Sequence, residues 1–108
     1  MPGEQAGKVL ELVVFKLKDG LTREQFMATV DAVSDWLRAQ PGFVSRELSY
    51  AESEAQWIDI VWWRSMEEAR AAGQAALSAP ACGPMFSLIE EDGALMLHGV
   101  PAIAPVTR

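Results

Sequence analysis

Hydrophobic residues run almost without a break from Lys8 to Lys18 (KVLELVVFKLK), and the run ends at Asp19-Gly20. Its β-branched content and closing turn signal predict a strand of about ten residues. Apolar residues fall at odd and even positions alike, the pattern of a strand covered on both faces. The spacing then changes. Phe26, Val30, Val33 and Leu37 repeat with helical period, behind Thr22 and Gln25 at capping-box separation. One helix is predicted, with Asp31, Asp35 and Arg38 on its wet side, ending near Gln40 because Pro41-Gly42 cannot continue it.

Phe43 to Tyr50 alternates as a second strand, Ala51-Glu52-Ser53-Glu54 is a polar turn, and QWIDIVWWR (56–64) has the composition of a third strand. Ser65 and Glu68 open a second helix that runs to about Leu77, with small residues Ala69, Ala72, Gly73 and Ala76 suited to close packing on a sheet. Pro80 ends it, and a short irregular or helical piece carries Met85, Phe86, Leu88 and Ile89. Glu90-Glu91-Asp92-Gly93 is expected to turn the chain into a last strand, Ala94–His98. Residues 1–7 are expected to be a polar, flexible lead-in, 8–99 the domain, and 100–108 an extended tail suited to lying on a neighbouring subunit.

The order β-α-β-β-α-β is the split βαβ pattern, an α+β ferredoxin-like fold. Right-handed crossovers give an antiparallel sheet of order 4-1-3-2 with helices on one face. Strand three is placed beside strand one and parallel to it. One helix layer covers one sheet face, yet strands one and three are apolar on both. A second copy of the sheet, packed face to face, covers the other. A homodimer is therefore expected.

Composition narrows the classes. Hydrophobic residues are 50% of the 108, rich enough that part of the apolar surface is assigned to an interface. Nine Lys and Arg against fifteen Asp and Glu leave a net charge of −6, which argues against nucleic acid and anionic membranes as partners. The single cysteine, Cys82, cannot form an internal disulfide and is read as a small apolar residue. No stretch reads as a secretory or membrane-spanning segment, so a cytoplasmic location is expected. One His and one Cys do not make a typical zinc site, and no phosphate loop or nucleophile elbow is present, so neither metal nor cofactor is expected.

Three segments carry a family resemblance: VVFKLKDGLTREQF, WLRAQPGFVSREL and WIDIVWWRSMEEA. Together, across roughly residues 8–98, the chain resembles the antibiotic-biosynthesis-monooxygenase superfamily of dimeric α/β barrels. Its first strand is also similar to that of the stress-responsive α/β-barrel proteins. The resemblance implies a ferredoxin-like dimer and, as one activity among several, cofactor-independent oxygenation of a small aromatic substrate. The haem-degrading branch would place an Asn at about Val13, a Trp near Ala72 and a His close to Cys82-Gly83-Pro84; none of the three is present. Haem degradation is not expected.

Candidate chemistry lies on the strands. Alternation puts Trp57, Asp59, Val61 and Trp63 on one side of strand three and Trp62 on the other. Glu11 lies on the side of strand one shared by Val9, Val13 and Phe15, and His98 ends strand four. If these sides coincide, Glu11, Asp59 and His98 meet in one region as candidate catalytic residues, His98 acting as a carboxylate-held general base. The competing reading is a structural pair, since charges in apolar strands are costly unless paired. Phe15, Trp36, Trp57, Trp63, Met85 and Phe86 are the candidate substrate-binding wall, or equally core and interface packing. Arg46 and Tyr50 on strand two either bind an anionic or carbonyl group or serve solubility on an edge strand. The alternative function is a non-catalytic dimeric module that binds a hydrophobic metabolite or acts in a stress response.

Overall fold

The computed structural model describes residues 8–108; the expected lead-in, 1–7, lies outside them. The elements are β1 (Val9–Leu17), α1 (Arg23–Met27), α2 (Val30–Arg38), β2 (Phe43–Ala51), β3 (Gln56–Trp63), α3 (Met66–Ala76), α4 (Gly83–Ser87) and β4 (Ile89–Gly99). The four strands form one sheet in the order β2-β3-β1-β4, the expected 4-1-3-2 arrangement read from the other edge. Among the described residues no helix is long and apolar enough to cross a membrane.

Strand direction corrects one expectation. β3 runs antiparallel to β1, not parallel. The helical crossover returns β2 in the direction of β1, and the tight turn at Glu52–Ala55 then reverses the chain. Because the hairpin sets β3 against β2, and β2 runs with β1, β3 opposes both. Facing survives the change, because residues directly opposite in an antiparallel pair share a sheet face.

The first helix is also not continuous. Thr22 caps α1 through a full capping box with Gln25, but the helix stops after Met27. The Thr29 hydroxyl donates to the Phe26 carbonyl at 2.6 Å, closing a local bond that competes with the regular ladder. At the far end of α2, Gly42 adopts φ +81°, and a Cβ there would collide with the Glu68 side chain on α3. The Pro41-Gly42 turn thus packs directly against α3.

β4 begins five residues earlier than the pattern indicates, at Ile89 rather than Ala94. Its pairing jumps from Lys16–Glu90 to Val14–Leu95, so residues 91–94 bulge opposite the single residue Phe15. Gly93, at φ +82°, supplies the backbone geometry of the bulge. The turn signal in EEDG marks this excursion inside a longer strand.

One sheet face is covered by helices, and the core sits there around Phe15, Phe26, Val33, Trp57, Val61 and Trp63. Phe26 of α1 bridges the rings of Phe15 and Trp57 at centroid distances of 5.6 and 4.5 Å. The other face carries Leu12 between Ile60 and Leu97, and Val14 between Ile58 and Leu95. This stripe spans three strands; on β2 the same face turns polar at Ser45, Glu47 and Ser49. Leu95 and Leu97 are about half exposed, at 47% and 53%. After Gly99 the chain lines a cavity of about 590 Å³ through Pro101, Ile103 and Val106, together with Trp62 and Val44 of its own sheet.

Candidate functional site

Four side chains lie in one row across the helix-facing side of the sheet. The register sets Arg46 of β2 opposite Val61 of β3, Val61 opposite Glu11 of β1, and Glu11 opposite His98 of β4. Asp59 sits one step along, opposite Val13 and Leu48 on the same side. The strands therefore deliver Glu11, Asp59 and His98 to one region, and hydrogen bonding divides them into two units.

The first unit is Glu11, His98 and Trp63. The Trp63 indole Nε1–H donates to Glu11 Oε1 at 2.9 Å. His98 Nε2 stands 3.7 Å from the same oxygen, close enough for ion pairing but beyond a hydrogen bond. That nitrogen is shielded from solvent and has no hydrogen-bond partner. Burial pushes the Glu11 carboxyl above the usual carboxylate range and the nearby Asp59 charge adds to this, while the Trp63 bond and the His98 charge pull it down.

The second unit is Asp59 and Arg46. Arg46 Nε and Nη2 donate to the two Asp59 oxygens at 3.0 and 2.7 Å, a bidentate fork. Nη1 donates to Ser34 Oγ at 3.0 Å and to the Val30 carbonyl at 3.3 Å, and Nη2 lies 3.6 Å from Met85 Sδ. The two charged side chains are only 6% and 9% exposed. Arg46 is thus not a solvated edge residue; it ties β2, β3, α2 and α4 together. The available signal was Asp59 itself, a carboxylate in an apolar strand that demanded a countercharge on its hairpin partner.

The residue pattern does not reveal Trp63 as a donor to Glu11, although a buried indole N–H needs an acceptor and Glu11 is the carboxylate nearest in register. The candidate wall divides. Phe15, Trp57, Trp63 and Met85 are buried in the core, Trp36 packs half-buried against it, and Phe86 is 37% exposed. Of the six, Trp57 borders a cavity of about 290 Å³. Tyr50 lies under the Arg23 guanidinium and against Trp57. Cys82 is fully buried, which raises its thiol pKa, and the nearby Arg46 charge offsets part of that. Among the described residues no group of three or more His, Cys, Asp or Glu is placed to hold a metal ion. Near the row, Met96 opposes Val13 on the helix-facing side of β4 and is 51% exposed, so the helix layer stops short of that edge.

The raised Glu11 pKa has a consequence for stability. The folded chain holds a proton on Glu11 over a pH range where the unfolded chain has released it. Stability from this group is therefore present below about pH 4.3 and falls as pH rises toward the folded value. Glu11→Gln keeps an acceptor for Trp63 and removes the ionisation. Urea unfolding should place the variant progressively higher relative to wild type as pH rises from about 4.3 through the folded value. A constant difference across that range would count against a buried, uphill ionisation.

No family model matches the sequence, and no curated protein matches it. Solved structures do. A variant of SnoaB, a cofactor-independent oxygenase from Streptomyces nogalater, superposes with a TM-score of 0.70 at 17% identity, covering 92% of this chain and 97% of that one. A dimeric ferredoxin-like protein of unknown function from Thermobifida fusca gives 0.70 at 13% identity, covering 90% and 93%. A candidate antibiotic biosynthesis monooxygenase from Caulobacter crescentus gives 0.68 at 11% identity, covering 93% and 94%. The chain therefore has the ferredoxin-like α+β fold that these structures share.

Proposed function

We propose that the chain is a homodimeric α/β barrel that oxygenates a small aromatic substrate without a cofactor, using His98 as general base. One observation carries the reading: a solvent-shielded imidazole nitrogen without a hydrogen-bond partner, beside a carboxylate fixed by an indole N–H. A phenol or activated C–H placed at His98 would give up its proton there, and the substrate anion would then reduce dioxygen. Glu11 stabilises the imidazolium formed. Asp59, with both oxygens bonded to Arg46, is assigned a positioning role. The half-exposed Met96 marks the side of approach. Trp63, with Val61 and Val13 on the same side of the sheet, forms the apolar floor, and α4, with Met85 and Phe86, is the short element that would have to move to admit a ring. A cytoplasmic setting, argued from the single cysteine, belongs to the same proposal.

Oxygen uptake with a panel of phenols and quinols tests this. Wild type should consume oxygen with at least one compound, and His98→Ala should reduce the rate on the order of a hundredfold, the usual weight of a general base. Unchanged turnover in the variant would remove His98 from the mechanism. The second reading, a non-catalytic binder of a hydrophobic metabolite, draws support from the close ring packing of Phe15, Phe26 and Trp57. It is favoured if no compound is turned over.

A further inference from the structure

At the end of the sheet remote from Glu11 and His98, the 290 Å³ cavity lies between the close of β1, the loop into α1 and the β2–β3 hairpin. Lys16, Lys18 and Arg23 line it beside Tyr50 and Trp57, with Asp19 as the one carboxylate on its wall. Three of the nine Lys and Arg side chains are gathered here, in a chain of net charge −6. Such a local reversal of sign draws small anions against the field of the rest of the molecule.

The three cations differ in what they already hold. The Arg23 guanidinium stacks 3.8 Å from the Tyr50 ring centroid and donates to both Glu52 oxygens at 3.3 and 3.1 Å, so it forms a fixed wall. Lys16 and Lys18 make no ion pair with another described residue. The volume is at the lower end of ligand pockets, which begin near roughly 300 Å³. A small planar anion fits that size, with Tyr50 on one side and the Lys18 ammonium on the other.

We propose that this cavity binds a small aromatic carboxylate, its anion held by Lys18 and its ring set against the Tyr50 side of the cavity. Leu17 lies six residues along β1 from Glu11, about 20 Å along a strand. The site is therefore distinct from the His98 row and does not depend on the catalytic reading.

Titration of the full chain with benzoate at low ionic strength tests it, followed by the amide resonances of Lys18–Leu21 and by tryptophan fluorescence. We expect saturable shifts confined to this loop and the hairpin. Lys18→Glu, a change at an exposed side chain, should weaken binding about tenfold or more, and added salt should weaken it in wild type. Benzamide, of the same shape without the charge, should bind at least about tenfold more weakly. His98→Ala should bind benzoate as wild type does. Absence of saturation, equal binding of benzamide, or indifference to Lys18→Glu would each overturn the proposal.

Discussion

Replacing Arg46 with Met is expected to cost about 3–5 kcal/mol, the penalty for leaving a buried charge without its partner. Asp59 would keep its carboxylate in a site 9% exposed, with both oxygens stripped of donors. Ser34 and the Val30 carbonyl would lose a donor as well. Against a total stability of roughly 5–15 kcal/mol for a domain, such a loss leaves little margin. Arg46→Met with Asp59→Leu should recover most of it, because an apolar pair of similar volume replaces a buried ion pair at little net cost. Urea unfolding at fixed protein concentration measures both, since assembly would otherwise contribute to the apparent stability. A loss below about 1 kcal/mol in the single variant would mean that the pair is far more solvated than its geometry indicates.

Leu97→Asp is expected to abolish self-association at micromolar concentration while leaving the fold intact. Leu97 opposes Leu12, which opposes Ile60, so the three lie in one row across the middle of the open sheet face. In the single chain Leu97 is 53% exposed, and a carboxylate there is readily hydrated. Between two packed sheets the same group would be buried unpaired, at an effective cost of several kcal/mol. A two-fold interface imposes that cost twice. Met96→Asp is the matched control. It alters the adjacent residue, of similar exposure at 51%, on the opposite face. It should leave association unchanged; loss of association in both variants would point to a general effect of charge on β4.

Most of the fold is legible in residue pattern alone. The double-sided apolar character of β1 and β3 marks them as the central strands, and Thr22 and Ser65 mark both helix starts through their caps. What the pattern hides is relational. Whether β3 runs with or against β1 follows from the hairpin and crossover together, and neither segment encodes it by itself. The break at Ala28-Thr29 comes from one hydroxyl bonding a carbonyl three residues back. The β4 bulge looks like a turn because the same residues, an acidic run ending in glycine, serve both.

The site divides in the same way. Alternation places Glu11, Asp59 and His98 on one side of the sheet, and the register agrees. Which carboxylate holds the histidine depends on a neighbour two strands away. Arg46 takes both oxygens of Asp59 and leaves Glu11 beside His98. Edge-strand position suggests solvent for Arg46, but α2 and α4 fold over it, and no local signal in β2 records that cover.

The proposed pairing of two open sheet faces underlies the interface variants and the oxygenase proposal alike. Sedimentation velocity of the wild-type chain at micromolar concentration tests it most directly. A single species of twice the 11.8 kDa chain mass is the predicted result. A stable monomer across that range would contradict it.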